Sequence, residues 1–205
     1  MLENIKWLGH AGFKIKGEKT IYIDPFKIKE TEPAGIIIVT HEHFDHLSPD
    51  DIKKIQTTKT TIVTTKDCAE KLSGNIKTVC VDEKINIGNV QIEAVPAYNI
   101  NKNFHQKEKS WIGVIVTVNG KRIYHAGDTD NIPEMSNLKN IDVALLPVSG
   151  TYVMTAEEAA DAANKIMPKI AVPMHYGAIV GSIEDAEKFK SLCRCKVEIV
   201  NIHQS

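Results

Sequence analysis

Gly35-Ile36-Ile37-Ile38-Val39-Thr40-His41-Glu42-His43-Phe44-Asp45-His46-Leu47-Ser48-Pro49-Asp50-Asp51 is the stretch that decides the fold. Residues 36–39 are an unbroken β-branched run with no polar alternation, the pattern of a strand buried on both faces of a layered α/β structure. Beyond the histidines, Ser48 suits a helix N-cap, Pro49 the first helical position, and Asp50 and Asp51 the positive end of the helix dipole. The histidines therefore occupy a strand-to-helix loop at the carboxyl end of a buried strand, where open α/β sheets collect ligands.

Working outward, residues 4–8, 12–16 and 20–23 read as short strands joined by tight turns, an antiparallel meander. Downstream, strands are predicted at 61–63, 76–80, 85–87 and 90–95, with a helix over 67–72. The polar segment 98–110, which carries Lys102, Lys107, Lys109 and His105, has no period. Strands 111–118 and 122–126 flank Asn119-Gly120, the sequence of a two-residue hairpin. After a strand at 141–146, Thr155 and Glu158 have capping-box spacing before an alanine-rich helix that ends short of Pro168. A strand at 170–173, a helix capped by Ser182 and a strand at 197–200 complete the chain. No linker or repeat intervenes, so a single domain over residues 1–205 is expected.

Composition sets bounds. With 42% hydrophobic and 25% charged residues, the 205-residue chain has material for a sizeable core. Lys+Arg number 25 against Asp+Glu 26, a net charge of -1 that disfavours nucleic acid and anionic membrane as partners. No stretch approaches the roughly 18 apolar residues of a membrane span. The N-terminus lacks the layout of a secretion signal, so a cytoplasmic location is expected. Cys68, Cys80, Cys193 and Cys195 read as buried thiols, not as a disulfide framework.

Histidine stands out. In an extended segment His41, His43 and Asp45 project to one side, and His46 joins them if the chain turns at the helix start. Three imidazoles and a carboxylate so close form an N/O donor set suited to a borderline divalent ion such as zinc, a better explanation of the spacing than a solvated polar loop.

Residues 40–46, Thr-His-Glu-His-Phe-Asp-His, resemble the metal-binding signature of the metallo-β-lactamase superfamily. Ile23-Asp24-Pro25, Gly127-Asp128-Thr129 and Pro173-Met174-His175-Tyr176-Gly177 resemble its other motifs in order and spacing. Leu8-Gly9-His10, Asp24-Pro25-Phe26 and the segment 146–152 are similar to a compact beta-lactamase-like branch that includes ascorbate-phosphate lactonases and N-acyl-phosphatidylethanolamine phospholipase D. The resemblance implies an α/β fold, the four-layer αββα sandwich of the metallo-β-lactamase type, and two divalent metal ions, with zinc expected and manganese, nickel or iron as substitutes. It implies that His41 and His43 hold one ion, that Asp45, His46 and His175 hold the other, and that Asp128 bridges them. One position departs from the family pattern: Pro96-Ala97 is followed by Tyr98-Asn99 with no histidine, so either the loop folds back to deliver His105, or Asn99 stands in its place, or the first site is weaker and completed by water. Asp24 is expected to accept a hydrogen bond from a liganding imidazole. His10 either lines the metal cavity or is structural, His125 belongs to the core or its margin, and His203 has no assigned role.

The implied chemistry is hydrolysis of a small-molecule phosphodiester, ester or lactone by a hydroxide shared between two metals, with Asp45 and Asp128 as catalytic groups that pass its proton on. Lys102, Lys107 and Lys109 are placed to attract a phosphate or carboxylate, or else form a solvated loop. Two alternatives compete. A diiron redox protein of this superfamily would carry a carboxylate where His43 stands, and a non-catalytic scaffold would close its metal shell. Oligomeric state is left open.

Overall fold

Short apolar strands and their turns build two compact units, one running through Cys80 and taking in the C-terminal segment from Val200, the other spanning Val81–Ile199. In the computed structural model residues 2–29 and 31–203 are described. Each unit is a sheet with its own helices.

The first unit contains β1 (Ile5–Gly9), β2 (Gly12–Ile15), β3 (Ile21–Ile23), β4 (Ile36–Val39), α1 (Pro49–Ile55), β5 (Thr61–Thr64), α2 (Lys66–Ala69) and β6 (Asn75–Thr78). The sheet order follows the chain, antiparallel from β1 to β3 and parallel from β3 to β6. Strands β1, β3 and β4 therefore run the same way and release their carboxyl ends at one edge. All four residues of β4 are fully buried, the double-faced burial that their β-branched run requires. Ile37 and Val39 share a cluster with Tyr22, Ile62 and the Ile52 and Ile55 of α1.

Helix α1 starts where Ser48 and Pro49 place it, but the Ser48 hydroxyl donates to Asp51 Oδ2 at 2.7 Å instead of capping. Asp51 also accepts from the backbone N–H groups of Lys27 and Ile28, tying α1 to the turn that follows Asp24. Helix α2 is shorter than expected. After Ala69 the backbone switches to the tighter Lys71-to-Cys68 and Leu72-to-Ala69 bonds, and the chain leaves through Gly74.

The second unit contains β7 (Lys84–Ile87), β8 (Val90–Pro96), β9 (Ile112–Val118), β10 (Lys121–His125), β11 (Val143–Pro147), α3 (Ala156–Ile166), β12 (Ile170–Met174), α4 (Ile183–Leu192) and β13 (Lys196–Val197). Its sheet also follows chain order, antiparallel through β10 and parallel from β10 to β13. Strands β8, β10, β11 and β12 thus share a direction. Asn119 and Gly120 both have positive φ, 50° and 70°, as the tight β9–β10 hairpin demands. Gly113 in β9 is required by close approach, since a Cβ there would lie 2.7 Å from the Ala126 carbonyl oxygen. Thr155 closes the capping box with Glu158, and α3 exits through Met167 in the left-handed region just before Pro168.

Only Cys68 is fully buried, and burial pushes its thiol up to about 11; Cys80 is exposed and Cys193 and Cys195 are half-buried, so the expectation of four buried thiols is corrected. No helix among the described residues is long and apolar enough to cross a membrane. Because β4 is packed on both faces, Ile37→Ala should cost about 2–5 kcal/mol, against about 1 kcal/mol for Thr155→Ala at the α3 cap. Urea unfolding of the two variants checks this, and an unchanged midpoint for Ile37→Ala contradicts the burial.

Candidate metal centre

The predicted residues lie just past strand ends. In the first unit His10 follows β1, Asp24 follows β3, and Thr40-His41 follow β4. Asp24 is fully buried, with φ 44°, and accepts three hydrogen bonds. Thr40 N–H reaches Oδ1 at 2.9 Å, while the Thr40 hydroxyl and His46 Nδ1 both reach Oδ2 at 2.7 Å. Having given its proton to Asp24, the Thr40 oxygen accepts from His41 Nδ1 at 3.0 Å. Both His41 and His46 therefore hold their proton at Nδ1 and offer the Nε2 lone pair, the tautomer a metal ligand needs.

The loop itself is not extended. His46 N–H and Leu47 N–H both return to the His43 carbonyl oxygen at 3.0 and 2.8 Å, a tight turn that replaces the expected alternation. It brings His43 Nδ1 to 3.1 Å from His41 Nε2 and leaves Asp45 to pair elsewhere. Asp45 Oδ2 accepts from His10 Nε2 at 2.8 Å and lies 3.7 Å from His46 Nε2.

In the second unit the loop after β8 does fold back. Asn99 N–H donates to the His105 carbonyl oxygen at 2.7 Å, and Asn99 Oδ1 accepts from both His105 N–H (2.9 Å) and His105 Nδ1 (3.1 Å). Asn99 is thereby the group that orients His105. His105 Nε2 and His175 Nε2 each lie 3.2 Å from Asp128 Oδ2, and all three residues are buried. Ser149 Oγ stands 3.0 Å from His175 Nδ1.

With His105 held as the Nδ1–H tautomer, a lone pair faces a carboxylate oxygen at 3.2 Å, an arrangement that a cation between them relieves. Neighbouring ligands on a tetrahedral ion with bonds of about 2.0–2.1 Å stand about 3.3–3.4 Å apart. The 3.1 Å His41–His43 and 3.2 Å His105–Asp128 spacings are close to that edge, and imidazole with carboxylate is the donor chemistry of such ions.

Residues 4–175 match the sequence profile of the beta-lactamase superfamily domain. A UPF0173 metal-dependent hydrolase of Pyrococcus abyssi is 37% identical, over 96% of this chain and 94% of the relative. The chain belongs to this superfamily of metal-dependent hydrolases. The crystal structure of a protein from Parabacteroides distasonis, assigned as a metal-dependent hydrolase, superposes with a TM-score of 0.87 at 35% identity, covering 95% of this chain and 91% of that one. A metallo hydrolase from Ignicoccus hospitalis shares the fold at a TM-score of 0.81 and 23% identity, with 98% and 95% of the two chains covered. The fold is thus of the metallo-β-lactamase type.

Several residues were invisible in the sequence of this superfamily member. Thr40 links Asp24 to His41, and only its place before the first histidine hints at that. Asp130, two residues after Asp128, accepts from Asn99 Nδ2, Ile100 N–H and Lys102 Nζ at 3.1, 2.8 and 2.6 Å, and so shapes the His105 loop. Two of the three lysines have acidic partners, Lys102 with Asp130 and Lys107 with Glu134 and the Tyr98 hydroxyl, while Lys109 lies over the Trp111 ring. His125 is buried in β10 and its Nδ1 accepts from Gly127 N–H at 3.1 Å. His203 is held beside β1, its N–H on the Trp7 carbonyl oxygen at 2.7 Å.

Asp24→Asn preserves shape, tolerates the positive φ and removes the charge that holds the imidazole protons. Metal affinity should fall about 10–100-fold, the usual effect of losing such an outer partner, with the far-ultraviolet circular dichroism unchanged. Competition with a chromogenic chelator measures this; wild-type affinity would sink the assignment.

Proposed function

We propose that the protein is a hydrolase of small-molecule esters, lactones or phosphodiesters, and that His41, His43, Asp45 and His46 with His105, Asp128 and His175 hold two divalent ions, zinc in preference to manganese, nickel or iron. The observation that carries this reading is Asp128, one carboxylate oxygen 3.2 Å from two buried imidazole nitrogens. When bound, such ions lower the pKa of water toward about 7 and polarise a carbonyl or phosphoryl oxygen.

The chain's own residues supply the rest. Asp24, Thr40, Asn99 and Ser149 orient the imidazoles from behind, so no reorientation is needed when a substrate arrives. Asp45 and His10, joined at 2.8 Å, form a pair able to take up the proton released from water and return it to the leaving oxygen. Beside His105, half-exposed Phe104 stands edge-on to Tyr152 with ring centres 4.7 Å apart, and exposed Phe44 sits between His43 and Asp45. With Lys102 and Lys107 paired with acids of their own, the Phe104–Tyr152 face beside His105 favours an apolar substituent over a second charged group on the substrate.

The test is hydrolysis of chromogenic esters, lactones and phosphodiesters by protein loaded with zinc, manganese, nickel or iron. Chelation should abolish turnover of any substrate found, and Asp128→Ala and His43→Ala should each lower kcat/KM at least about 100-fold at saturating metal, as loss of a group acting on the transition state does. Full activity in either variant, or in chelator, would contradict the proposal.

A further inference from the structure

The second unit carries another recess, away from Asp128. A cavity of about 750 Å³ opens on one face of β7–β10. Register explains its floor: Lys84 pairs with Glu93, Glu93 with Ile115 and Ile115 with Tyr124, so these side chains form one row across the sheet. Val95 and Arg122 lie on the same face, two residues along their strands. Ile132, Met135 and Leu138, in and around the short 3₁₀ turn Pro133–Asn137, supply an apolar wall.

The charges on this floor do not cancel. Glu93 is buried and sits between two cations, Lys84 at 2.8 Å and Arg122. Burial pushes its carboxyl up, but the hydrogen bonds from Lys84 and Arg122 prevail and hold it below the usual carboxylate range. One anion between two cations leaves an excess positive charge. Lys107 and Glu134 at the rim are already paired at 3.2 Å. Arg122 gives Nη1 to Glu93, while its Nε–H is buried with no hydrogen-bond partner. The guanidinium is part-exposed in the recess with Nη1 engaged by Glu93, and its planar fork keeps donor capacity beyond that bond for a ligand carboxylate. Fully buried Tyr124, whose hydroxyl burial alone pushes up, also lines the recess.

We infer that this cavity binds an organic carboxylate with a bulky apolar body, the head group on Arg122 and the body against Val95, Ile115, Met135 and Leu138. The volume falls within the roughly 300–1,000 Å³ of small-molecule sites. None of the proposed metal ligands lines this recess.

The experiment is a fluorescence titration of the full chain with 8-anilinonaphthalene-1-sulfonate, followed by displacement with decanoate or with uncharged decanol. Decanoate should displace the dye at least about tenfold more effectively than decanol, and Arg122→Met should erase about tenfold or more of decanoate's affinity, as loss of a charged hydrogen bond does. Leu138→Trp, which pushes a bulkier ring from the apolar wall into the recess, should weaken dye binding about tenfold or more, and wild-type dye binding there would contradict the inference, whereas His43→Ala should leave binding unchanged. Equal displacement by decanol, wild-type binding in Arg122→Met, or loss in His43→Ala would overturn the inference. So would dye exclusion accompanied by dimer formation in sedimentation, which would show that a second copy covers the face. If Arg122→Met fails to fold, Leu138→Trp decides.

Discussion

One buried carboxylate, that of Asp24, holds the histidine loop of the first unit in place. A carboxylate taken out of water is stable only if its lone pairs are matched, and three donors meet this one. They come from different parts of the chain, Thr40 at the end of β4 and His46 beyond the turn. The Asp24 N–H adds a bond to the Ile38 carbonyl oxygen at 2.9 Å, so the end of β3 is sewn to β4 at the point where the histidines begin. The same interaction that satisfies a buried anion also selects the tautomers of two imidazoles.

The second unit reaches the same end with neutral groups. Asn99 and Ser149 do for His105 and His175 what Asp24 and Thr40 do for His46 and His41, and Asp130 braces the loop that carries His105. Backbone strain recurs at these positions: His10, Asp24 and His175 have φ of 51°, 44° and 60°, each at the first residue past a strand. Non-glycine residues in that region cost on the order of 1–3 kcal/mol, so the surrounding bonds must hold them there. Removing those bonds should free the backbone as well as the rings.

What could be read from the sequence was what local chemistry dictates. The β-branched run of β4, the Asn119-Gly120 hairpin and the Thr155 capping box each follow from interactions within a few residues. Asp24 as partner of an imidazole followed from resemblance, but its mediation through Thr40 did not, because that needs the end of β3 set beside the end of β4. The turn at His43–Leu47 likewise defeated an alternation argument, since a hydrogen-bonded turn obeys no period of two. Lys14 illustrates the limit well. It lies in β2, fully buried, and its ammonium is met at 2.8 Å by Glu32 from a loop eighteen residues further on, a contact that no strand pattern contains. Lys102 and Lys107 of the 98–110 loop likewise meet acids remote in sequence, Asp130 and Glu134.

The most direct measurement of the role assigned to Asp24 and Thr40 is the protonation pattern of the histidine rings by long-range ¹H–¹⁵N correlation in ¹⁵N-labelled protein, before and after addition of zinc. His41 and His46 should show protonated Nδ1 and unprotonated Nε2 in the metal-free state, with zinc shifting the Nε2 resonances and leaving the Nδ1 protons in place. Protons on Nε2, or Nε2 resonances indifferent to zinc, would contradict it.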